Sequence, residues 1–313
     1  MTRRANNSFS FSGHETFPFR YGWLKKGVDA VDKSPDFFTK ERAMVDLGVG
    51  KNMVASIRHW CLASQLIVNR ADAEHRGQLI PSEIGKLIFL EGGYDPYLED
   101  PGTLWIVHWL IASRPKSATT WWWMFNNWNG VEFTKERISY EIQSWLEKYG
   151  YKSVSDNSLK RDIDCFARTY VHSRQTKSEV IEDTLDCPLV DLRLVTELDD
   201  GKTYQFQRGP QVSLPNAVFA FALAEFWQAW NSQARSIAFE KIAYDPGSPG
   251  RVFKLDEDTL ASRLEEIADL TSGAFNYDET AGLKQVYRHR EVAPVSLLHK
   301  YYKKRSSRVT PKR

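Results

Sequence analysis

Apolar positions recur at helical spacing just past residue 50, where Met53, Val54, Ile57, Trp60 and Cys61 share one face of a helix starting near Lys51. A shorter helix precedes it, with Thr39 placed to cap it and Glu41 in its first turn, and the Gly48-Val49-Gly50 turn stops it. Leu66-Ile67-Val68 and Gln78-Leu79-Ile80 then read as strands around a polar tip, Asn69–Gly77. Pro81-Ser82 opens another helix, Glu83 to about Leu90. Helix, turn, helix, hairpin, helix is the order of a winged helix-turn-helix.

Further along, Tyr94–Gly102 is a turn-rich linker into an apolar helix over Thr103–Ser113. The pentapeptide FTKER occurs twice, at Phe38–Arg42 and Phe133–Arg137. Its second copy opens a helix running through Glu147, followed by a Gly150 break. A further helix follows, capped by Ser155 or Asn157, with Leu159, Ile163 and Phe166 on one face. A second helix-turn-helix is therefore one reading, and chance reuse of helix-start residues is the other. Val190–Phe206 alternates around Asp199-Asp200-Gly201 as a β-hairpin, Asn216–Asn231 is a buried helix, Tyr244–Phe253 a loop, and Asp256–Leu270 another helix. The fold class is mainly α (α+β) and multi-domain. The expected division is 1–101 with the winged helix, 102–180 with the possible second helix-turn-helix, 181–299 with the hairpin, and a basic tail, 300–313.

Composition alters this picture in three places. Of eleven Trp, Trp105, Trp109, Trp121, Trp122, Trp123 and Trp128 crowd one region, which reads as an aromatic core or a base-stacking platform. The net charge is +2, yet Lys300–Arg313 holds seven cations and no acid, leaving the remainder at −5. Such a tail is an arm for polyanions or a solvated terminus. Three scattered cysteines give neither a disulfide framework nor a metal pair, and no segment reads as a signal or a membrane span, so the expectation is a cytoplasmic protein.

Candidate chemistry lies in two stretches. The second helix offers Lys51, Asn52, Ser56, Arg58 and His59 on its polar side, with Arg70 and Arg76 on the wing. Lys and Arg suit phosphates, Asn and Arg suit base edges, and a solvated face is the alternative. The opening stretch, FSGHETFPFRYGWLKKG, offers His14 as acid or base, Glu15 as base or metal ligand, and Arg20, Lys25 and Lys26 as phosphate clamps. The competing reading makes His14 and Glu15 a polar pair bracing the first helix against the wing. Asp200-Gly201-Lys202 has the form of a nuclease half-site but falls where the hairpin must turn.

FSGHETFPFRYGWLKKGVDAV, LGVGKNMVASIRHW and DPYLEDPGTLWIVHWLIA resemble a bacterial domain-of-unknown-function family associated with DNA phosphorothioation, over about Phe11–Tyr287. The resemblance implies a nicking endonuclease in single-stranded phosphorothioate modification and anti-phage defence. Its partners would be DNA, a cysteine desulfurase, an ATPase and an ATP-pyrophosphatase-type protein, with a homodimer left open. The cofactor expected for such nicking is Mg2+ or Mn2+. The resemblance assigns no catalytic residue. A non-catalytic DNA-recognition adaptor and a transcriptional regulator of a defence cluster are the alternatives.

Overall fold

The first helix of the computed structural model, α1 (Trp23–Lys33), buries Trp23, Leu24, Gly27, Val28, Ala30 and Val31 and turns Lys26, Asp32 and Lys33 to solvent. That spacing is one face of a 3.6-residue period. The structure describes residues 9–75, 77–172 and 186–309. Next come α2 (Ala43–Leu47) and α3 (Lys51–Ala63), separated by Gly48 in the left-handed region (φ 67°) and by Gly50. Packing of α1 on α3 depends on Gly27, where a Cβ would stand 2.4 Å from Cys61 Sγ.

The short helix starts later than Thr39. Thr39 ends a 3-10 turn, Phe37–Thr39, and its hydroxyl donates to the Asp36 carbonyl (2.7 Å), so α2 begins only at Ala43. Strands β1 (Ile67–Asn69) and β2 (Leu79–Pro81) pair antiparallel with Ile67 opposite Pro81. Leu79 N–H also donates to the Pro35 carbonyl (2.8 Å). Ser82 caps α4 (Glu83–Phe89), accepting from Gly85 N–H.

Helix α5 (Pro101–Ala112) is buried from Gly102 onward. After α6 (Thr119–Asn126) comes β3 (Glu132–Thr134), which leads straight into α7 (Lys135–Lys148), the joint being the second FTKER. Here Thr134 does cap, accepting from Arg137 N–H (3.3 Å). Ser155, not Asn157, caps α8 (Asp156–Tyr170), and β4 (Val195–Glu197) and β5 (Thr203–Phe206) complete an antiparallel sheet of order β3-β5-β4. Between β4 and β5, Asp200 accepts from Lys202 N–H, Thr203 N–H and the Thr203 hydroxyl. The hydroxyl bond is the chief cause that lowers its pKa to about 2. Asp200 is thus consumed by the turn.

The same order returns with α9 (Asn216–Asn231), β6 (Ser236–Ala238), α10 (Phe239–Tyr244), the single turn α11 (Pro249–Val252), α12 (Glu257–Glu265), another single turn α13 (Ile267–Leu270), and the hairpin β7 (Phe275–Thr280) and β8 (Leu283–Arg288). Its sheet order, β6-β8-β7, repeats β3-β5-β4. Helix, strand, helix, helix, hairpin therefore occurs twice in full. Residues 23–81 carry the pattern a third time, with Pro35 contributing one hydrogen bond where a first strand would pair. Helices joined to small antiparallel sheets make the chain α+β.

The chain divides into two units, residues 1–99 with 110–207, and residues 100–109 with 208–313. The first has its core in Phe19, Trp60, Trp121, Phe125 and Phe166. The second gathers Trp105, Trp109, Phe253, Phe219 and Trp227. Trp105, Trp109, Trp121 and Trp123 are buried, and half-buried Trp122 packs on Phe9 and Trp145. These tryptophans are core, not a platform for bases.

The basic tail is not a loose arm as far as it is described. Helix α14 (Pro294–Val309) buries Leu297, Leu298 and Tyr302, while Arg305 pairs with Asp100 (2.8 Å) and Lys300 donates to Ser272 (3.1 Å). Residues 310–313 lie outside the described residues. No described helix is long and apolar enough to cross a membrane, and all three cysteines are buried thiols.

Candidate nucleic-acid interface

Three residues of the loop 12–16 hold left-handed backbone without being glycine: Ser12 (φ 65°), Glu15 (φ 49°) and Thr16 (φ 70°). Such conformations persist only where surroundings over-determine them. Here the surroundings are α3 on one side and α8 on the other. Gly13 lies flat against α3, and a Cβ there would stand 2.4 Å from His59 Nδ1. Gly13→Ala is therefore expected to destabilise the first unit by about 1–3 kcal/mol, the usual range for overpacking. Urea melts of the two proteins check this, and equal midpoints would show that His59 yields freely.

His14 is buried, its Nε2 2.8 Å from Asp162 Oδ1 on α8, while its Nδ1 lies 3.0 Å from Thr16 N–H. An amide must donate, so Nδ1 accepts and Nε2 carries the proton that goes to Asp162. Asp162, also buried, accepts in addition from Ser12 N–H on Oδ1 and from the Thr120 hydroxyl on Oδ2 (2.8 Å). The Ser12 hydroxyl donates to Ser158 O (3.3 Å), and Arg168 donates to Thr16 O. The ring also meets Trp60, Trp121 and His59, with centroids 6.2, 5.4 and 5.9 Å away. His14 is thus a strut with both nitrogens engaged and no path to solvent. In this arrangement both ring nitrogens are taken up by hydrogen bonds within the protein. Its partner is Asp162 rather than Glu15, and the brace runs between α3 and α8 rather than to the wing.

Glu15 is exposed at the tip of the same loop. Arg20 is half-buried, its guanidinium over the rings of Trp23 (5.6 Å) and Phe17 (6.0 Å). Lys25 pairs with Asp29 on its own helix, and Lys26 donates to the Leu47 carbonyl (3.0 Å) at the C-terminus of α2, where a cation suits the dipole. His14 is thus buried on Asp162, Glu15 is exposed, and Arg20 lies over aromatic rings. Among the described residues there is also no group of three or more His, Cys, Asp or Glu able to hold a metal ion. The described residues around Glu15 thus supply no such set of three ligands.

The exposed row of α3 is Lys51, Asn52, Ala55 and Arg58. It contains no acid, and its first residues stand at the helix N-terminus, where free amides and the dipole favour phosphate. Two expected members are missing. Ser56 is fully buried and its hydroxyl donates to the Phe17 carbonyl (3.4 Å). His59 turns inward onto Gly13, and its buried Nε2 has no hydrogen-bond partner. Burial, aided by His14 and Arg58, pushes the His59 pKa down to about 3, so the ring is neutral near pH 7. On the hairpin, Arg70 pairs with Asp72 (2.7 Å) and reaches Gln78, while Arg76 lies outside the described residues.

Sequence reasoning missed Asp162, although a lone acid among Leu159, Ile163 and Phe166 on one helical face is a readable signal. It also missed the second exposed row, Asn157, Lys160, Arg161 and Arg168 on α8.

No curated protein matches the chain significantly. Solved structures do, among them two of SspB. "SspB crystal structure" is 29% identical with a TM-score of 0.84, covering 97% of this chain and 90% of that one. "Magnesium ion-bound SspB crystal structure" is 28% identical with the same TM-score and the same coverage. Residues 11–302 match the family described as "Protein of unknown function (DUF4007)", and over that span the chain belongs to it.

Proposed function

We propose that this protein binds duplex DNA as a component of a phosphorothioation system of the Ssp kind and nicks one strand there, supporting modification and anti-phage defence. The carrying observation is the acid-free row Lys51, Asn52, Ala55 and Arg58 on α3, and on this reading α1, α2, α3 and the β1–β2 hairpin act as a winged helix. Likeness to SspB over 97% of the chain supports the setting, and the magnesium named with one of those structures is the ion to supply in an assay. Partners on this reading are the cysteine desulfurase, the ATPase and the ATP-pyrophosphatase-type protein, and the compartment is the cytoplasm.

Lys51→Ala should weaken binding to every duplex alike and lower the slope of log K against log salt by about one unit, as for one lost phosphate contact. Fluorescence anisotropy over a salt series measures it, and an unchanged slope removes α3 from the interface. Nicking is tested on supercoiled plasmid with Mg2+, comparing the parent with Glu15→Gln. A loss of about 100-fold or more at unchanged melting temperature assigns Glu15 a role in chemistry. The second reading, a DNA-recognition adaptor that recruits the sulfur-transfer proteins, is favoured by the saturation of His14. A parent protein that binds DNA and captures the ATPase but never nicks would establish it.

A further inference from the structure

The imidazole of His14 is shared by two helices. It meets His59 and Trp60 of α3 and donates to Asp162 of α8. Helices that touch through one ring stand on the order of 10–15 Å apart, given a helix diameter of roughly 10–12 Å with side chains. Both are the third helix of a repeated pattern, the position that enters the major groove in winged and helix-turn-helix proteins. Paired recognition helices in successive major grooves lie about 34 Å apart, and one groove, about 12 Å wide, admits one helix. So α3 and α8 can occupy neither two successive grooves nor the same one.

We infer that α3 and α8 form a single DNA-binding surface with unequal roles: α3 enters the major groove, and α8 grips the sugar-phosphate strand beside it through Lys160 and Arg161. This inference rests on the DNA-binding reading above. The roles follow from charge. The α3 row has no carboxylate and carries Asn52 and Arg58, groups able to read base edges. The α8 row has Asp156 at its start and Asp164 within it, the latter neutralised by Lys135 (2.7 Å). Acids on a helix inserted in the groove would face phosphates on both sides, whereas a helix lying along one strand needs only its nearest cations. Lys160 and Arg161 are exposed and have no ion-pair partner among the described residues.

A groove of about 550 Å³ opens between α7 and α8, with Tyr140, Gln143, Asn157 and Lys160 in its lining; because the acids Glu136 and Asp156 line it too, the strand follows its Lys160 rim and does not enter it. The loop 12–16 joins the two rows, with Gly13 against His59 of α3 and the Thr16 carbonyl on Arg168 of α8. The C-terminal copy of the pattern, α9 to β8, is excluded on the same ground of charge. Its α12 exposes Glu257, Asp258 and Glu265, its hairpin exposes Asp278 and Glu279, and Arg263 is turned inward onto the carbonyls of Leu214, Pro210 and Gln211.

The test uses the full chain and fluorescein-labelled duplexes of about 30 base pairs with several sequences, over a salt series. Lys160→Ala/Arg161→Ala should reduce the salt slope by about two units and weaken binding roughly 60-fold at 0.1 M salt, with the ranking of duplexes preserved. Asn52→Ala should instead change the ranking and leave the slope alone. Circular dichroism melts confirm that each variant is folded, and Lys160→Gln/Arg161→Gln replaces the first variant if it is not. A parent that binds with salt dependence while the double variant keeps the parental slope overturns this inference and spares the DNA-binding reading. A parent that binds no duplex overturns both.

Discussion

Asp162→Ala is expected to cost about 3–5 kcal/mol, the range for removing one partner of a buried pair. The magnitude follows from what is left behind. Ser12 N–H, His14 Nε2–H and the Thr120 hydroxyl all donate to this carboxylate, and each becomes a buried donor without an acceptor. Glu15→Gln, three residues along the same loop from Ser12, should move stability by no more than about 0.5 kcal/mol because Glu15 is exposed. Urea melts of both variants against the parent decide the matter. A loss below about 1 kcal/mol for Asp162→Ala would show that the loop 12–16 is held by something other than this network. The comparison also separates structure from chemistry in any nicking assay, since only Glu15 is free to change activity without changing the fold.

Acid should unfold the second unit through His108. This ring is fully buried on α5, and its Nε2–H donates to the Val252 carbonyl (2.9 Å). Burial drives its pKa from 6.5 down to about 3, with the Val252 bond opposing and Lys254 assisting. The folded state therefore holds fewer protons than the unfolded state between pH 3 and pH 6.5. The stability so contributed is complete above pH 6.5 and is lost as pH falls toward 3. At about 1.4 kcal/mol per pH unit, the loss reaches about 2.7 kcal/mol at pH 4.5. His108→Gln keeps a donor for Val252 but cannot titrate. The gap in stability between parent and variant should therefore shrink by that amount from pH 7.5 to 4.5. Parallel pH dependence of the two proteins would mean that His108 does not govern the acid limb.

Legibility in the sequence followed where polarity and periodicity agreed. Helix α3 and the β1–β2 hairpin stand nearly where spacing put them, because the buried Ile57, Trp60 and Cys61 are apolar and the turn is glycine. Ser56 misled because residue type was followed over position. It lies three and four residues from Met53 and Trp60, inside the buried face, and a hydroxyl that reaches a carbonyl can live there. Strands β7 and β8 escaped because almost every residue outside Phe275 and Val286 is exposed or half-buried, leaving no alternation to read. The C-terminal copy of the pattern was hidden for a related reason, since Phe239-Glu240-Lys241 keeps the strand-to-helix joint without repeating FTKER. In the tail, seven cations drew attention from Leu297, Leu298, Tyr301 and Tyr302, whose spacing continues a helix. The brace at His14 was visible only as a polar residue among aromatics. Its partner sits 148 residues away, beyond any local pattern.

The second unit is interrupted in sequence: it takes residues 100–109, leaves the chain through residue 207, and resumes at 208. Trp105 and Trp109 therefore leave the ribosome well before Phe253, the ring against which both pack. At synthesis rates of about 5–20 residues per second, roughly 7–30 seconds separate Trp109 from Phe253, and the wait for Tyr302 is longer still. The first unit, whose last residue is Gln207, is complete while those indoles still lack their partner. During translation this chain thus displays an apolar helix segment beside a finished neighbour. That interval, rather than the stability of the finished fold, is where a chaperone would find it.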